Sequence, residues 1–275
     1  MRHYHKHVYN IKYSQNFIKS STLATKLVNE MRLSKKDTVI EIGPGTGALT
    51  KNIIGRVNKF IGVELDFNLF KDLSANFYSE NVDFVNEDFL KYKLPESGDY
   101  KIIGNIPFAL TADIIRRILE WRNPPVDTYL ILQKEAALRL VTRDYENFFA
   151  LQYKPFFESK IIKNIPSFEF NPRPNVDSML IRIKRLSSPL IPLEDKDEYT
   201  KFVSFCFLYW KVNVKSVLKR FFTHTQLSIM AKEYGINFEL KPSQITFEQW
   251  LVLFNVFKTM VAKEKKMVLN TPRNS

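Results

Sequence analysis

The sequence predicts an α/β fold, a parallel sheet with helices on both faces, followed by a small α-helical domain at the C-terminus. Three observations carry this reading. Short apolar runs alternate with stretches of helical period up to about residue 185, the pattern of strands joined by crossover helices. A Gly-rich turn, Gly43 to Gly47, follows the first run of that series, where an open α/β sheet receives its ligand. Beyond a Ser-, Pro- and charge-rich stretch at 185–199, only helical patterns remain.

The elements follow in order. "DTVIEIG" (37–43), "KFIGVEL" (59–65), "VDFVNED" (82–88), "YKIIGN" (100–105) and "DTYLILQ" (127–133) read as buried strands. "TGALTKNIIG", "FNLFKDLSANF", "TADIIRRILEW" and "KEAALRLV" read as the helices between them. The stretch "RLSSPLIPLEDKDEY" (185–199) reads as a linker. After it come "YTKFVSFCFLYWKV", "VKSVLKRFF", "TQLSIMAKEYG" and "TFEQWLVLFNVFKTM". The last of these opens on Thr246 with Glu248 and Gln249 nearby, an N-cap region. The tail "AKEKKMVLNTPRNS" is expected to fray. The implied domains are 1–187, with a basic N-terminal arm, and 197–275.

Bulk properties narrow the class. At 275 residues, with 45% hydrophobic and 25% charged residues, the chain has the composition of a globular protein. No apolar run is long enough to cross a bilayer, and residues 1–17 lack the apolar core of a secretory signal. The single Cys, Cys206, sits in "FVSFCFLYW" as a buried small residue, and a cytoplasmic location fits. A net charge of +12 points to a polyanionic partner. Residues 1–20 and 201–224 contain cations and no acid. A membrane surface is the weaker alternative, because no cationic amphipathic anchor stands out. His3, His5 and His7 alternate like metal ligands, but a basic arm explains them without a metal.

Four successive strand ends carry the chemistry. The first has Gly43, Gly45 and Gly47, where the backbone can turn sharply and approach a ligand. The second has Glu64, suited to ribose hydroxyls, and the third Asp88. These say only that the cofactor contains adenosine. The fourth is "GNIPF" (104–108), which supplies a carboxamide and a ring but no hydride-handling group, so a dehydrogenase fits poorly. An exocyclic amine on a nucleobase is a weak nucleophile, its lone pair delocalised into the ring. Asn105 can accept one of its N–H groups and the Ile106 carbonyl the other, with Pro107 fixing the backbone and Phe108 offering a flat platform. That arrangement suits methylation of the amine from S-adenosyl-L-methionine, by positioning and electrostatics.

"SQNFI" (14–18), "EIGPGTG" (41–47), "VELD" (63–66), "NED" (86–88), "GNIPF" and "FNPRPNVDS" (170–178) occur in the order seen in the rRNA adenine-N6 dimethyltransferases, which the chain resembles over essentially its whole length. The resemblance implies a Rossmann-like S-adenosylmethionine-dependent methyltransferase domain with a helical C-terminal domain. Within that superfamily, Ile after the Asn of "GNIPF", and "ITFEQWLVLFNVF", resemble the erythromycin-resistance (Erm) enzymes of large-subunit rRNA more than the housekeeping small-subunit enzymes. A non-catalytic RNA-binding relative is the reading of another class.

The resemblance also implies roles. Asn16 and Ile18 would touch the methionine end of the cofactor, and Gly43 and Gly45 its backbone. Glu64 would hold the ribose, Leu65 would lie beside the adenine, and Asp88 would take the adenine amine. Asn105 to Phe108 would orient the target amine, and Phe170 would close on the target base from the other side. Phe168 is a second candidate from the residues alone. Many relatives carry Tyr where this chain has Phe108. Arg116, Arg117, Lys134, Arg139 and Arg143 are the candidates for holding RNA, each also readable as part of a solvated helix face. The implied partner is large-subunit rRNA before full assembly, bound by a monomer.

Overall fold

The computed structural model describes residues 16–141 and 145–270. The expectations for the N-terminal arm through Gln15 and for Arg143 lie outside these residues. The chain forms two compact units: 1–137 with 159–185, and 138–158 with 186–275. Residues 138–158, which the sequence boundary at 187 leaves with the sheet, group with the helices.

The first unit is built on strands β1 (Phe17–Ile18), β2 (Thr38–Ile42), β3 (Lys59–Glu64), β4 (Val82–Asn86), β5 (Lys101–Asn105), β6 (Asp127–Gln133), β7 (Phe157–Ile165), β8 (Phe170–Asn171) and β9 (Ser178–Arg185). Seven of them form one sheet in the order β4-β3-β2-β5-β6-β9-β7. The five strands read from the sequence are its parallel part, with Ile40 opposite both Ile61 and Ile102. Their interiors are apolar because helices cover a parallel sheet. β9 returns antiparallel to β6, so the sheet is mixed rather than wholly parallel. A buried ion pair supports that return: Arg182 donates to both carboxylate oxygens of Asp127, at 2.6 and 2.8 Å.

The strand order sets the place of the site. From β2 the chain moves outward to β3 and β4, then returns to lay β5 on the other side of β2. The crevice at this reversal lies outside the carboxyl ends of β2 and β5. The helix expected directly after β2 is shorter than its sequence pattern: residues 45–49 form turns, and α1 and α2 span Ser21–Glu30 and Thr50–Ile53. Helices α3 (Phe67–Asn76), α4 (Thr111–Leu119) and α5 (Lys134–Val141) match their patterns.

The second unit holds α6 (Phe148–Leu151), α7 (Lys196–Leu208), α8 (Val214–Leu218), α9 (His224–Tyr234), α10 (Phe247–Met260) and α11 (Lys263–Lys266). Its core is aromatic: Phe202 packs on Phe257 with ring centroids 4.6 Å apart, and on Trp250 and Phe254. Cys206 is fully buried there, and burial pushes its thiol up. α10 has the cap its sequence signals, Thr246 Oγ1 accepting from Gln249 N and Gln249 Oε1 from Thr246 N. α7 starts inside the expected linker, after Pro192, with Asp197 and Glu198 in a first turn that favours acids. The tail is not frayed through 270: α11 and a short turn of helix continue the chain, and Lys266 pairs with Glu198 at 3.1 Å.

Candidate active site

A cleft open to solvent lies at the crevice between β2 and β5. Asn16, Phe17 and Ile18 line it from β1 and its approach, Glu41, Gly43, Pro44 and Gly45 from the end of β2, and Asn105, Ile106, Pro107 and Phe108 from the end of β5. Three motifs far apart in the sequence therefore share one cavity. β1 is held by antiparallel pairing with β8, Ile18 opposite Phe170.

The β5 turn is set by local chemistry. β5 ends at Asn105, and Pro107 (φ −58°, ψ 131°) leads into a short 3-10 turn at Phe108–Leu110 that continues as α4. Ile106 buries its side chain, anchoring the turn, while Asn105 and Phe108 stay partly exposed. Asn105 Nδ2 donates to the Asn16 carbonyl at 2.7 Å. With the donor end of the amide engaged, Oδ1 is left as an acceptor. Among the described residues no donor meets Asn105 Oδ1 or the Ile106 carbonyl.

The β2 turn is a cradle. Gly43 and Gly45 have φ of +57° and +61°, where an L side chain is strained. A Cβ added at Gly43 would meet nothing within 4 Å and would project into open space. At Gly45 it would lie 2.7 Å from the Phe17 ring. Glu64, at the end of β3, is 1% exposed; its Oε2 accepts from Gly45 N at 2.9 Å and its Oε1 from Asp66 N at 3.0 Å. Each carboxylate oxygen has a second lone pair, so Glu64 braces the Gly turn and keeps acceptor capacity. These residues fit a zwitterion with an adenosine arm: there is open space at Gly43, and the lining combines polar Glu41 and Asn105 with apolar Ile18 and Leu49.

One ionisable lining residue was not singled out from the sequence. Glu41 is buried in β2, accepts from Thr50 Oγ1 at 2.7 Å, and lines the cleft. Burial pushes its carboxyl up to about 8; the Thr50 hydrogen bond opposes this and the Glu64 charge adds to it. At neutral pH Glu41 is mostly a neutral acid. The available signal was an acid inside the otherwise apolar run "VIEIG".

Other candidates fall outside this cavity. Leu65 is 43% exposed beyond β3. Asp88, just past β4, uses Oδ1 to accept from Leu90 N at 2.9 Å. Neither they nor Glu64 line the cleft, since β3 and β4 stand one and two strands from β2, at about 4.8 Å per strand. Phe170 needs correction. Its ring is 1% exposed, packed in the core with Ile18, Leu27, Tyr129 and Ile165, so it offers no face to a base in this conformation. The ring this loop exposes is Phe168, at 56%.

The basic candidates divide. Arg116 is exposed and pairs with Asp113 at 3.3 Å. Arg117 is a correction: its guanidinium donates to the Tyr92 carbonyl at 2.7 Å and stacks 4.4 Å from the Trp121 ring centroid, so it is used within the fold. Lys134 and Arg139 are exposed. No helix among the described residues is long and apolar enough to cross a membrane.

Comparison with known proteins gives a consistent grouping. A family described as "Ribosomal RNA adenine dimethylase" matches residues 6–259. The chain is 33% identical to an rRNA adenine N-6-methyltransferase of Lysinibacillus sphaericus, over 90% of this chain and 97% of that one. It is 29% identical to a ribosomal RNA small subunit methyltransferase A of Ureaplasma urealyticum, over 89% of this chain and 90% of that one. The fold is similar to that of the 23S rRNA methyltransferase ErmE, with a TM-score of 0.79 and 24% identity, covering 89% of this chain and 100% of that one.

Proposed function

The chain belongs to the ribosomal RNA adenine dimethylase family, and from that premise we propose that it methylates N6 of one adenine in large-subunit (23S) rRNA. The family activity, S-adenosylmethionine-dependent methylation of an rRNA adenine at N6, is the coarser part of this reading. The finer part is dimethylation of the 23S target, conferring resistance to macrolides, lincosamides and streptogramin B.

The observation that carries the chemistry is the Asn105 amide, tied by its donor end to the Asn16 carbonyl. Its oxygen then accepts one proton of the adenine amine, and the Ile106 carbonyl accepts the other. Holding both N–H groups returns electron density to nitrogen and aims its lone pair. Phe108 supports the base as a ring platform. The cofactor, when bound, supplies an electrophilic methyl group. No strong base is needed, since the methylated amine is positively charged and readily loses a proton to water. Gly43 and Gly45 would lie along the cofactor, Asn16, Ile18 and Glu41 would line its methionine end, and Glu64, Leu65 and Asp88 would serve its adenosine. Glu64 and Asp88 already hold backbone N–H groups, and their remaining lone pairs are what the adenosine would use. The exposed cations Arg116, Lys134 and Arg139 hold the RNA backbone around an adenine drawn out of its stack.

The choice of 23S rRNA is supported by Ile106 after Asn105 and by the "ITFEQWLVLFNVF" segment of α10, both as in the Erm branch. The small-subunit reading is favoured by the Ureaplasma urealyticum relative. The enzyme is read as a monomer acting on rRNA before full assembly. The test is to incubate the protein with methyl-labelled S-adenosylmethionine and each rRNA separately, then map the label. One modified 23S adenine, with drug resistance in expressing cells, is expected. Label on small-subunit rRNA in drug-susceptible cells would overturn the 23S assignment.

A further inference from the structure

The helical unit exposes an aromatic turn that nothing in the methyl-transfer site uses. α7 ends at Leu208, and Tyr209, Trp210 and Val212 follow, 37%, 58% and 44% exposed, with Leu208 at 49%. The other two Trp residues are held inside their units: Trp250 is fully buried, and Trp121 lies under Arg117 with its N–H on the Pro95 carbonyl. Trp210 is therefore the outlier, and clustered exposed apolar side chains of this size mark interaction surfaces.

We propose that this turn and the start of α8 are a second RNA-binding surface, which takes unpaired nucleotides by stacking on Trp210. The proposal rests on the rRNA reading above for the class of its partner. Charge supports it: residues 201–224 contain Lys201, Lys211, Lys215, Lys219 and Arg220 and no acid. Lys215 is engaged by Glu239 at 2.8 Å, Lys211 and Arg220 lie against the rings, and Lys219 is exposed on the same stretch. The cations also sit at the rings themselves. Lys211 Nζ lies 5.4 Å from the Trp210 centroid, and Arg220 Cζ lies 4.7 Å from that of Tyr209. Rings interleaved with cations are what single-stranded nucleic acid requires, a platform for each base and a charge for each phosphate. A membrane-surface anchor would instead segregate its rings and its cations on opposite faces of a long amphipathic helix.

The turn is ordered, which makes stacking less costly in entropy. Val212 N donates to the Tyr209 carbonyl at 3.1 Å, and Asn213 caps α8 by accepting from Ser216 N at 3.0 Å. Val214 N and Lys215 N donate to the carbonyls of Leu240 and Phe238, at 2.8 and 3.0 Å.

The probe is a labelled oligouridylate of about 12 nucleotides, which has no adenine for the methyl-transfer site. Anisotropy titration should show Trp210→Ala weakening binding about 10-fold while Trp210→Phe stays near wild type. The melting temperature of both variants should be unchanged, since the side chain lies outside the core. Lys211→Ala and Lys219→Ala should each lower the salt slope by about one. Duplex RNA of equal length should bind independently of Trp210. Equal oligouridylate binding by wild type and Trp210→Ala would overturn the proposal, as would Trp210-dependent binding only to phosphatidylglycerol vesicles. If no rRNA is methylated but oligouridylate binding still depends on Trp210, the reaction assignment fails and this surface stands. If rRNA is methylated and Trp210 is irrelevant to binding, the surface alone falls.

Discussion

Two halves of one sheet edge differ in how ready they are. At β2 and β5 the cleft is formed: Gly43 opens space, and the Asn105 amide is oriented by Asn16. At β3 and β4 the polar groups are engaged, with Glu64 bracing Gly45 N and Asp66 N and Asp88 holding Leu90 N. The same strand-end position can thus be a prepared site or a self-satisfied one. Burial explains the contrast. A carboxylate 1% exposed must have partners, and the nearest are backbone N–H groups. The polar groups at β2 and β5 are oriented in advance, whereas a ligand reaching β3 and β4 would share carboxylates already bonded to the backbone.

The largest expected effect comes from filling the prepared half. Gly43→Val puts a β-branched side chain at φ +57° and into the cleft. S-adenosylmethionine binding, measured by calorimetry, should fall below detection. Retained affinity would mean that the cofactor does not lie along this turn. Next is Phe108→Ala, which removes a stacking platform worth about 1–3 kcal/mol per base. Methyl transfer should drop about 10- to 100-fold, and Phe108→Tyr should keep most of it because the ring survives. A smaller effect belongs to the engaged half. Glu64→Ala should weaken cofactor binding about 10-fold. It also frees Gly45 N and Asp66 N, so some stability is lost with it. A change in melting temperature with unaltered affinity would make Glu64 a brace only.

A last effect, on stability rather than on transfer, concerns Glu41, and its sign follows from burial. Its carboxyl is pushed up from 4.5 to about 8, so the folded protein keeps a proton that the unfolded chain releases. Stability from this group is fully present below about pH 4.5 and is lost as pH rises to about 8. Urea melts across that window should show a shallower pH dependence for Glu41→Gln than for wild type. Glu146, also raised by burial, remains in both proteins, so the difference between them isolates Glu41. Identical pH profiles would show that Glu41 is ionised in the fold.

Most of the sheet was legible because parallel strands covered on both faces leave uninterrupted apolar runs. β7 and β9 were not, although "SMLIRIKR" contains the apolar run Met179–Ile181. They are joined by the Pro-rich loop rather than a helix, so no strand–helix alternation marks them. That the Asn105, Gly43 and Asn16 motifs line a cleft was legible, because a strand end with an amide or glycines serves no packing purpose. Phe170 was not legible. Residues 168 and 170 of an extended chain would face one way, but the 3-10 turn at Ser167–Glu169 breaks that alternation and turns Phe168 out and Phe170 in. Arg117 depends on Tyr92 and Trp121; the Tyr92 carbonyl, 25 residues away in the chain, leaves no trace in the local pattern. Glu41 was hidden by the glycines that follow it.

Single-turnover methyl transfer by Asn105→Ala, with cofactor affinity measured on the same preparation, tests most directly whether this amide aligns the target amine. The loss of an acceptor that matters most in the transition state should lower the rate by about 10³-fold or more, with cofactor affinity within about fivefold of wild type. Transfer at the wild-type rate by Asn105→Ala would contradict the mechanism.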